Sequence, residues 1–461
     1  MKKLLVVLLA LGLIAAFSMT ASAADVKFAG QYYVVGVYES NRTLRDEDQT
    51  TSRAYAWTRT RVQTVFQVAE GLSFTTRFDA FEKQWGATNR SSSLAEDKSN
   101  SGRINVTASS GRAEANLQEN IEMEYGFVTF KTKYGQWDIG YQAADEWGTQ
   151  YADTPGSRPR ARWTSAFGPV NLIAIWEKVK EGDTPQGTSN SSFLADADAD
   201  NYMLAGIYNW KGGAAGLLYK YSDWRNNRPT ANFRTQLHAF LPYMKGTFGG
   251  LFLEAEAVYI TGKAAKYESP SSGPDIDKEG WGGLLHAKYT MGPVYFGGQM
   301  GYTRGNDTLT AASRDGDDKS GPASSTSWTP ALIFGNANLR SWMYGQDIGG
   351  AGGTVSYNAN EKKNLLLWNA YGGYNLTPKI NFEGQFMYAL ADKKPYVGGV
   401  EFQSKDYGYE IDVRASYKIY DNLTYMVGAG YFWTGDYFKG TNPSQQLGND
   451  YILLNQLTLN F

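Results

Sequence analysis

An all-β chain closed as a transmembrane antiparallel β-barrel of about eighteen strands is the class this sequence predicts, and three observations predict it. Apolar and polar residues alternate with a period of two in segment after segment, connections are short and long in turn, and the chain closes on an alternating segment ending in an aromatic residue. A period of two marks a strand with unlike faces. Short turns on one side and long loops on the other are the asymmetry of outer-membrane barrels.

The closing segment shows the pattern most plainly. Tyr451, Leu453, Leu457, Leu459 and Phe461 share one face, with Asn455 the exception, while Ile452, Leu454, Gln456, Thr458 and Asn460 share the other. Its eleven residues match the length of a tilted strand that crosses a bilayer. Seventeen further segments are expected near 26–38, 53–68, 72–84, 119–131, 136–143, 160–166, 170–180, 201–210, 214–224, 232–245, 251–263, 280–290, 294–304, 364–375, 379–391, 406–419 and 423–436, with 449–461 the eighteenth. The segments 136–143 and 160–166 are short, so a count of sixteen is the alternative. Between segments, tight gaps such as Lys133-Tyr134-Gly135, Phe167-Gly168-Pro169 and Tyr420-Asp421-Asn422 carry hairpin residues. The intervening gaps, such as 86–117 and 181–199, are long and polar.

Composition agrees. A soluble chain of 461 residues would suggest two or three domains, but one large barrel absorbs this length. Aromatic residues make up 15%, with 32 Tyr and 13 Trp. Mean hydropathy of -0.44 excludes a bundle of membrane helices, yet suits a wall that alternates oily and wet side chains. Residues 1–23, with Lys2-Lys3, an apolar run from Leu4 to Phe17 and Ala21-Ser22-Ala23, read as a cleaved secretory signal. Residues 24–461 are then a single barrel domain. The absence of Cys excludes a lipoprotein, a disulfide framework and c-type haem. Cleavage removes two of 44 basic residues and none of 46 acidic ones, leaving 42 against 46, a balance that argues against nucleic acid as a partner.

The charged faces must meet water. In 72–84, Leu72, Phe74, Phe78 and Ala80 alternate with Ser73, Thr75, Arg77, Asp79 and Lys83; in 406–419, Tyr407, Tyr409, Ile411 and Val413 alternate with Glu410, Asp412 and Arg414. A charge facing lipid near the midplane costs about 2–4 kcal/mol. Tyr38, Trp57, Trp137, Tyr141, Trp281, Tyr289, Tyr425 and Trp433 on the oily faces near strand ends suit an interfacial aromatic girdle.

With its signal, its eighteen alternating segments, the arm Tyr134-Gly135-Gln136-Trp137-Asp138-Ile139-Gly140-Tyr141-Gln142 and its final Phe461, the chain resembles the Gram-negative outer-membrane porins, and its strand count is similar to that of the substrate-specific porins and alginate-export channels. The resemblance implies an outer-membrane barrel with outer-membrane lipids around it. It also implies insertion machinery that reads the strand ending in Phe461.

Inward parity then assigns a candidate pore lining: Arg59, Arg61, Arg77, Asp79, Glu122, Glu124, Arg160, Arg162, Arg234, His238, Glu254, Glu256, Lys288, Glu410, Asp412 and Arg414. Signs alternate from strand to strand. One reading is a cross-strand ion lattice that orders the wall; the other is opposed basic and acidic patches that orient a solute, with Arg59, Arg61, Arg160 and Arg162 as the basic patch favouring anions. The loop 305–363 is too long for an ordinary connection. Its apolar stretch includes Trp328, Leu332, Phe334 and Trp342, with Arg340 among them, and is expected to fold over or into the barrel mouth as a constriction, an external lid being the alternative.

Chemistry beyond passage is weakly signalled. The only imidazoles, His238 and His286, lie outside any Ser-nucleophile motif, so no enzyme is expected. Asp196, Asp198 and Asp200 alternate as Ca2+ ligands can, but the Gly and closing Glu of an EF-hand loop are missing, and neither metal nor cofactor is expected. The leading expectation is a channel for passive or selective diffusion of small hydrophilic solutes, anions among them. A barrel sheath for a periplasmic electron-transfer or export partner and a polysaccharide export channel are the alternatives, and oligomeric state is left open.

Overall fold

A computed structural model describes residues 25–46, 52–85, 121–182, 196–228, 232–269, 273–306, 317–322, 326–336, 347–350, 353–358 and 362–461. The segment read as a signal, and Arg340 and Trp342 of the long loop, lie outside the described residues.

Eighteen strands form the wall: β1 (Asp25–Glu39), β2 (Arg53–Ala69), β3 (Leu72–Gln84), β4 (Glu122–Thr132), β5 (Gly135–Ala144), β6 (Gly156–Phe167), β7 (Val170–Lys180), β8 (Ala199–Trp210), β9 (Gly213–Trp224), β10 (Phe233–Phe248), β11 (Leu251–Tyr267), β12 (Ile276–Met291), β13 (Val294–Thr303), β14 (Leu365–Thr377), β15 (Ile380–Leu390), β16 (Asp406–Tyr420), β17 (Leu423–Thr434) and β18 (Asp450–Asn460). Each pairs antiparallel with the next, and β1 pairs with β18, with Gly30 and Phe461 exchanging backbone hydrogen bonds of 2.7 and 3.0 Å. Closure leaves the sheet without an edge, as a wall in lipid requires. The count is eighteen rather than sixteen, because the two short segments extend to Gly135–Ala144 and Gly156–Phe167 once paired.

The outer face is apolar: Leu204, Leu285, Phe296, Ile411, Val413 and Leu453 are all exposed. In water such a surface would aggregate. In a bilayer hydrocarbon solvates it. Toward the long-loop end, outward aromatic rings stack across β14 to β18 and on to β1, in the contacts Trp368–Tyr388, Tyr409–Trp433, Tyr431–Trp433, Tyr431–Tyr451 and Tyr38–Tyr451. This is the interfacial girdle.

Two expected girdle or belt residues lie elsewhere. Trp57 is 1% exposed because it shares the inward parity of Arg59 and Arg61. Tyr407 is 1% exposed because a register shift at Gly408, with φ of 118°, reverses the parity of β16 above it. A bulge inserts one residue and thereby exchanges the two faces. The same happens at Phe81 in β3, where φ is 56° and Glu82 becomes buried beside Arg59.

Candidate solute channel

Along β2 to β8 the inward charges are paired across strands. Asp79 receives the Arg61 guanidinium in two hydrogen bonds of 2.7 and 2.6 Å, with Arg59 3.7 Å away. Arg77 meets Glu124 at 3.2 Å and lies 3.6 Å over the ring of Tyr125, which a register shift in β4 turns inward. Glu122 stands opposite Asp79. Arg160 meets Glu177 at 2.5 Å, and Arg158 meets Asp145 at 2.8 Å. The carboxylate is the deeper partner in most of these pairs: Asp79 is 1% exposed against 28% for Arg61, and Glu177 0% against 31% for Arg158. Arg162 faces Asp138 in register, but Thr129 and Gln136 take that carboxylate, and Arg162 makes no ion pair among the described residues.

Farther round, Glu254, Glu256 and Lys288 point inward as expected, and His286 with them, since they pair with the buried Tyr243 and Leu284 or share their row on the strand. His286 is held on both sides, by Glu254 at 2.8 Å and the Tyr371 hydroxyl at 2.6 Å. The Lys288 ammonium lies 4.2 Å over Tyr295, whose hydroxyl donates to Glu383 at 2.7 Å; Arg414 in turn grips Glu383.

His238 and Arg234 do not line the lumen. His238 stands opposite Tyr221, which alternates with the buried Ser222, and its neighbour on the same face, Phe240, is 39% exposed. The inward row of β10 is Thr235, Leu237, Ala239, Leu241 and Tyr243, one residue out of phase with the polar pattern read from the sequence. Arg234 pairs with Lys266, whose ammonium reaches Gln236 on the outer face. Gln236 and His238 are polar because they sit at a membrane rim rather than in water within the bore.

The opposite arc holds a loop instead of an ion lattice. Trp328, Ala331, Leu332, Ile333 and Phe334 are buried inside the barrel mouth. The Leu332 amide donates to Asp412 at 3.0 Å, and the Ile333 and Phe334 amides donate to the two oxygens of Glu410 at 2.7 and 2.8 Å. The Asn369 side chain donates to the Pro330 carbonyl at 2.6 Å, and Trp328 donates to Gln299 at 2.7 Å. Glu410 and Asp412, assigned to the pore surface by parity, are 0% and 1% exposed, because the loop covers them. The apolar side chains have an apolar seat: Leu365, Leu367, Met387, Ala389, Phe432, Ile452 and Leu454 point inward there and are buried. Phe334 stacks on Tyr357 at 4.7 Å. Gly301 leaves the space for Trp328, since a Cβ at that position would lie 2.0 Å from its ring.

A second inward loop was not signalled by the sequence. Residues 145–155, between β5 and β6, reach across the bore to β10, β11 and β13. The Thr149 amide and hydroxyl donate to Glu256 at 2.8 and 2.7 Å, the Trp147 indole donates to the Leu241 carbonyl at 2.8 Å, and the Tyr151 hydroxyl contacts Thr303 at 2.7 Å. Gly148, with φ of 68°, packs against Tyr243 where a Cβ would come within 2.8 Å. The two loops meet: the Thr326 amide donates to the Asp153 carbonyl at 2.9 Å, and Tyr151 packs on Trp328 at 5.6 Å. Burial holds the Asp153 carboxyl up at about 7, with Glu256 and Glu146 adding to the rise against the Trp147 amide bond. Burial alone brings the Lys362 ammonium down to about 7 where it lies beneath Trp328, 5.7 Å from the ring.

The acidic loop residues are met by cations: Asp198 and Asp200 by Lys178 at 2.6 and 3.3 Å, and Asp196 by Arg225. No cluster of three metal-ligating side chains occurs among the described residues.

No family model and no curated protein matches the sequence. Solved structures do. OccK8 (OprE) of Pseudomonas aeruginosa is similar over 95% of this chain and 98% of its own, with a TM-score of 0.50 and 11% identity. OpdK, an outer membrane protein of the same organism, and a BenF-like porin from Pseudomonas fluorescens each cover 94% of this chain and 99% of their own, with TM-scores of 0.48 and 0.47 and 10% identity. The chain therefore has the fold of the eighteen-stranded outer-membrane porins that its sequence resembles.

Proposed function

We propose that the protein is an outer-membrane porin through which small hydrophilic solutes diffuse passively, with anions favoured. One observation carries the reading: a closed wall, oily outside and charged within, whose bore is narrowed by two loops that meet inside it. An eighteen-stranded wall is wide enough for water, and the loops at 145–155 and 326–336 reduce that width to a constriction. The greater exposure of Arg61 and Arg158 than of their carboxylate partners supports anion preference, since solutes meet guanidinium before carboxylate. Arg162, without an ion pair among the described residues, adds to it. Passage needs neither cofactor nor catalysis, and the two imidazoles are bonded to tyrosine hydroxyls rather than to a nucleophile. The exposed Phe461 on the closing strand is the signal offered to insertion machinery. A sheath for a partner or an exporter of polymer needs a clear bore, which the two loops oppose.

The test is single-channel conductance and reversal potential in a planar bilayer under a KCl gradient. Ohmic conductance with anion-selective reversal is expected. Purified, heat-modifiable barrels that give no conductance would overturn the channel, and cation selectivity would overturn the preference.

A further inference from the structure

The outside of β9 to β11, near the long-loop end, carries an arrangement the channel does not use. Several cations on this wall stand directly opposite carboxylates: Arg61 faces Asp79, Arg160 faces Glu177, Lys263 faces Asp277 and Arg414 faces Glu383. Where two carboxylates face each other, as Asp200 and Asp223 do, each has a cation of its own, Lys178 for the first and Arg225 for the second. Arg234 and Lys266 break this pattern. They are register partners of like charge on the outer face. Like charges directly opposite destabilise a sheet.

The carboxylates nearby are committed elsewhere. Asp223 binds Arg225, Glu268 binds Arg228, and Asp275 and Asp277 bind Lys263. Arg234 forms no ion pair among the described residues, and the Lys266 ammonium makes only a long contact of 3.4 Å with the Gln236 amide oxygen. The pair is therefore a place where two positive charges stand together without a protein anion.

Its height on the wall is informative. Down the outward row of β10 come Arg234, Gln236 and His238, then Phe240, Pro242, Met244 and Phe248, of which the last four are exposed. The change from polar to apolar falls between His238 and Phe240, which is the level where headgroups give way to hydrocarbon. Aromatic rings form a shelf at that level: Tyr202 stacks on Tyr221 at 6.3 Å, Tyr221 lies 5.1 Å from His238, and Tyr219 lies 5.3 Å from Phe240. The Tyr219 hydroxyl holds His238 Nδ1 at 2.8 Å and the Gln236 amide donates to the Tyr221 hydroxyl at 3.0 Å, so the polar side chains around the pair are fixed.

We infer that Arg234 and Lys266, floored by Gln236 and His238, bind the phosphate of a lipid headgroup in the outer leaflet. A guanidinium offers two parallel donors to phosphate oxygens and an ammonium offers a point charge. One anion between them removes the repulsion, and the aromatic shelf below accepts the first carbons of the lipid. The site lies on the outside of the wall, so it holds whether or not the bore conducts.

The test uses the full mature chain folded in neutral detergent and native mass spectrometry with three probes: bisphosphorylated lipid A, the same lipid with both phosphates removed, and inorganic phosphate. Wild-type protein is expected to retain one phosphorylated lipid at concentrations where the dephosphorylated lipid is lost. The R234Q/K266Q double variant is expected to weaken that binding by about tenfold or more, as loss of a charge-assisted contact implies. R234K/K266R, which keeps both charges, is expected to restore most of it. Heat-modifiable mobility and conductance equal to wild type show that a variant is folded; if R234Q/K266Q fails to fold, K266Q alone is read against K266R. Equal retention of both lipids, undiminished binding by a folded variant, or displacement of the lipid by inorganic phosphate at equal concentration would each overturn the assignment.

Discussion

Two arcs of the same lumen wall carry inward charges and use them differently. On β2 to β8, Arg59, Arg61, Arg77 and Arg160 neutralise Asp79, Glu124 and Glu177 side chain to side chain, and the wall stays open to water. On β13 to β18, Glu410 and Asp412 spend their oxygens on the backbone amides of residues 332–334, and a loop fills the space in front of them. The difference is in the neighbours. In the first arc Arg61 faces Asp79 and Arg160 faces Glu177 in register, whereas Glu410 faces Met387 and Phe432, and Asp412 faces Gln385 and Gly430. An inward carboxylate without a cation accepts whatever donors arrive, and here those belong to a segment whose apolar side chains fit the inward Leu365, Leu367, Ile452 and Leu454.

Breaking the latch should have the largest effect. Charge-assisted hydrogen bonds contribute about 1.5–3 kcal/mol each, so E410Q/D412N should free the loop 326–336 and raise conductance about twofold or more. New protease cleavage within that loop should accompany the rise. Unchanged conductance and cleavage would mean that apolar packing alone seats the loop.

Disturbing the ion lattice should act on stability before selectivity. R59Q/R61Q strands Asp79, which is 1% exposed, without its guanidinium partners. Breaking a buried pair from one side costs about 3–5 kcal/mol. The midpoint for urea unfolding from micelles should fall, and anion preference should weaken. A reversal potential equal to wild type would remove Arg59 and Arg61 from the basic patch.

A smaller change is expected from E256A, which leaves the Thr149 amide and hydroxyl without their acceptor at a cost of about 1–3 kcal/mol. Single-channel traces should show added open-state noise as loop 145–155 loosens. Quiet traces would place its anchorage in Trp147 and Tyr151 instead.

The smallest effect sharpens the comparison through pH. The Lys362 ammonium, beneath Trp328 in the loop-filled arc, is brought from 10.5 down to about 7 by burial. Its folded form binds fewer protons than its unfolded form between those values, so stability rises with pH across that window and is lost as pH falls through 7. K362M should flatten the change in melting temperature between pH 6 and 9. The paired arc should show no matching change.

Most of the wall could be read in advance, because each strand must present one face to hydrocarbon and the other to water. The readings that failed did so at bulges and rims. Tyr407 changes face where Gly408 shifts the register, and Trp57 belongs to the inward row of its own strand despite looking like a girdle residue. Arg234 and His238 look like lumen residues, yet a rim outside the barrel tolerates the same side chains as the bore. The apolar stretch around Trp328 announced that it must bury itself. The loop 145–155 carries no such stretch, and its latch to Glu256 depends on atoms 107 residues apart.

Alternation along each strand, together with the rhythm of turns and loops, was enough to determine a closed barrel of sixteen or eighteen strands, since these are local consequences of placing every second residue in lipid, and pairing of the two short segments decided for eighteen. Which inward charges meet water was decided only by the fold. That outcome depends on which loop reaches which arc of the wall, and contacts between residues far apart in the chain leave no period to read.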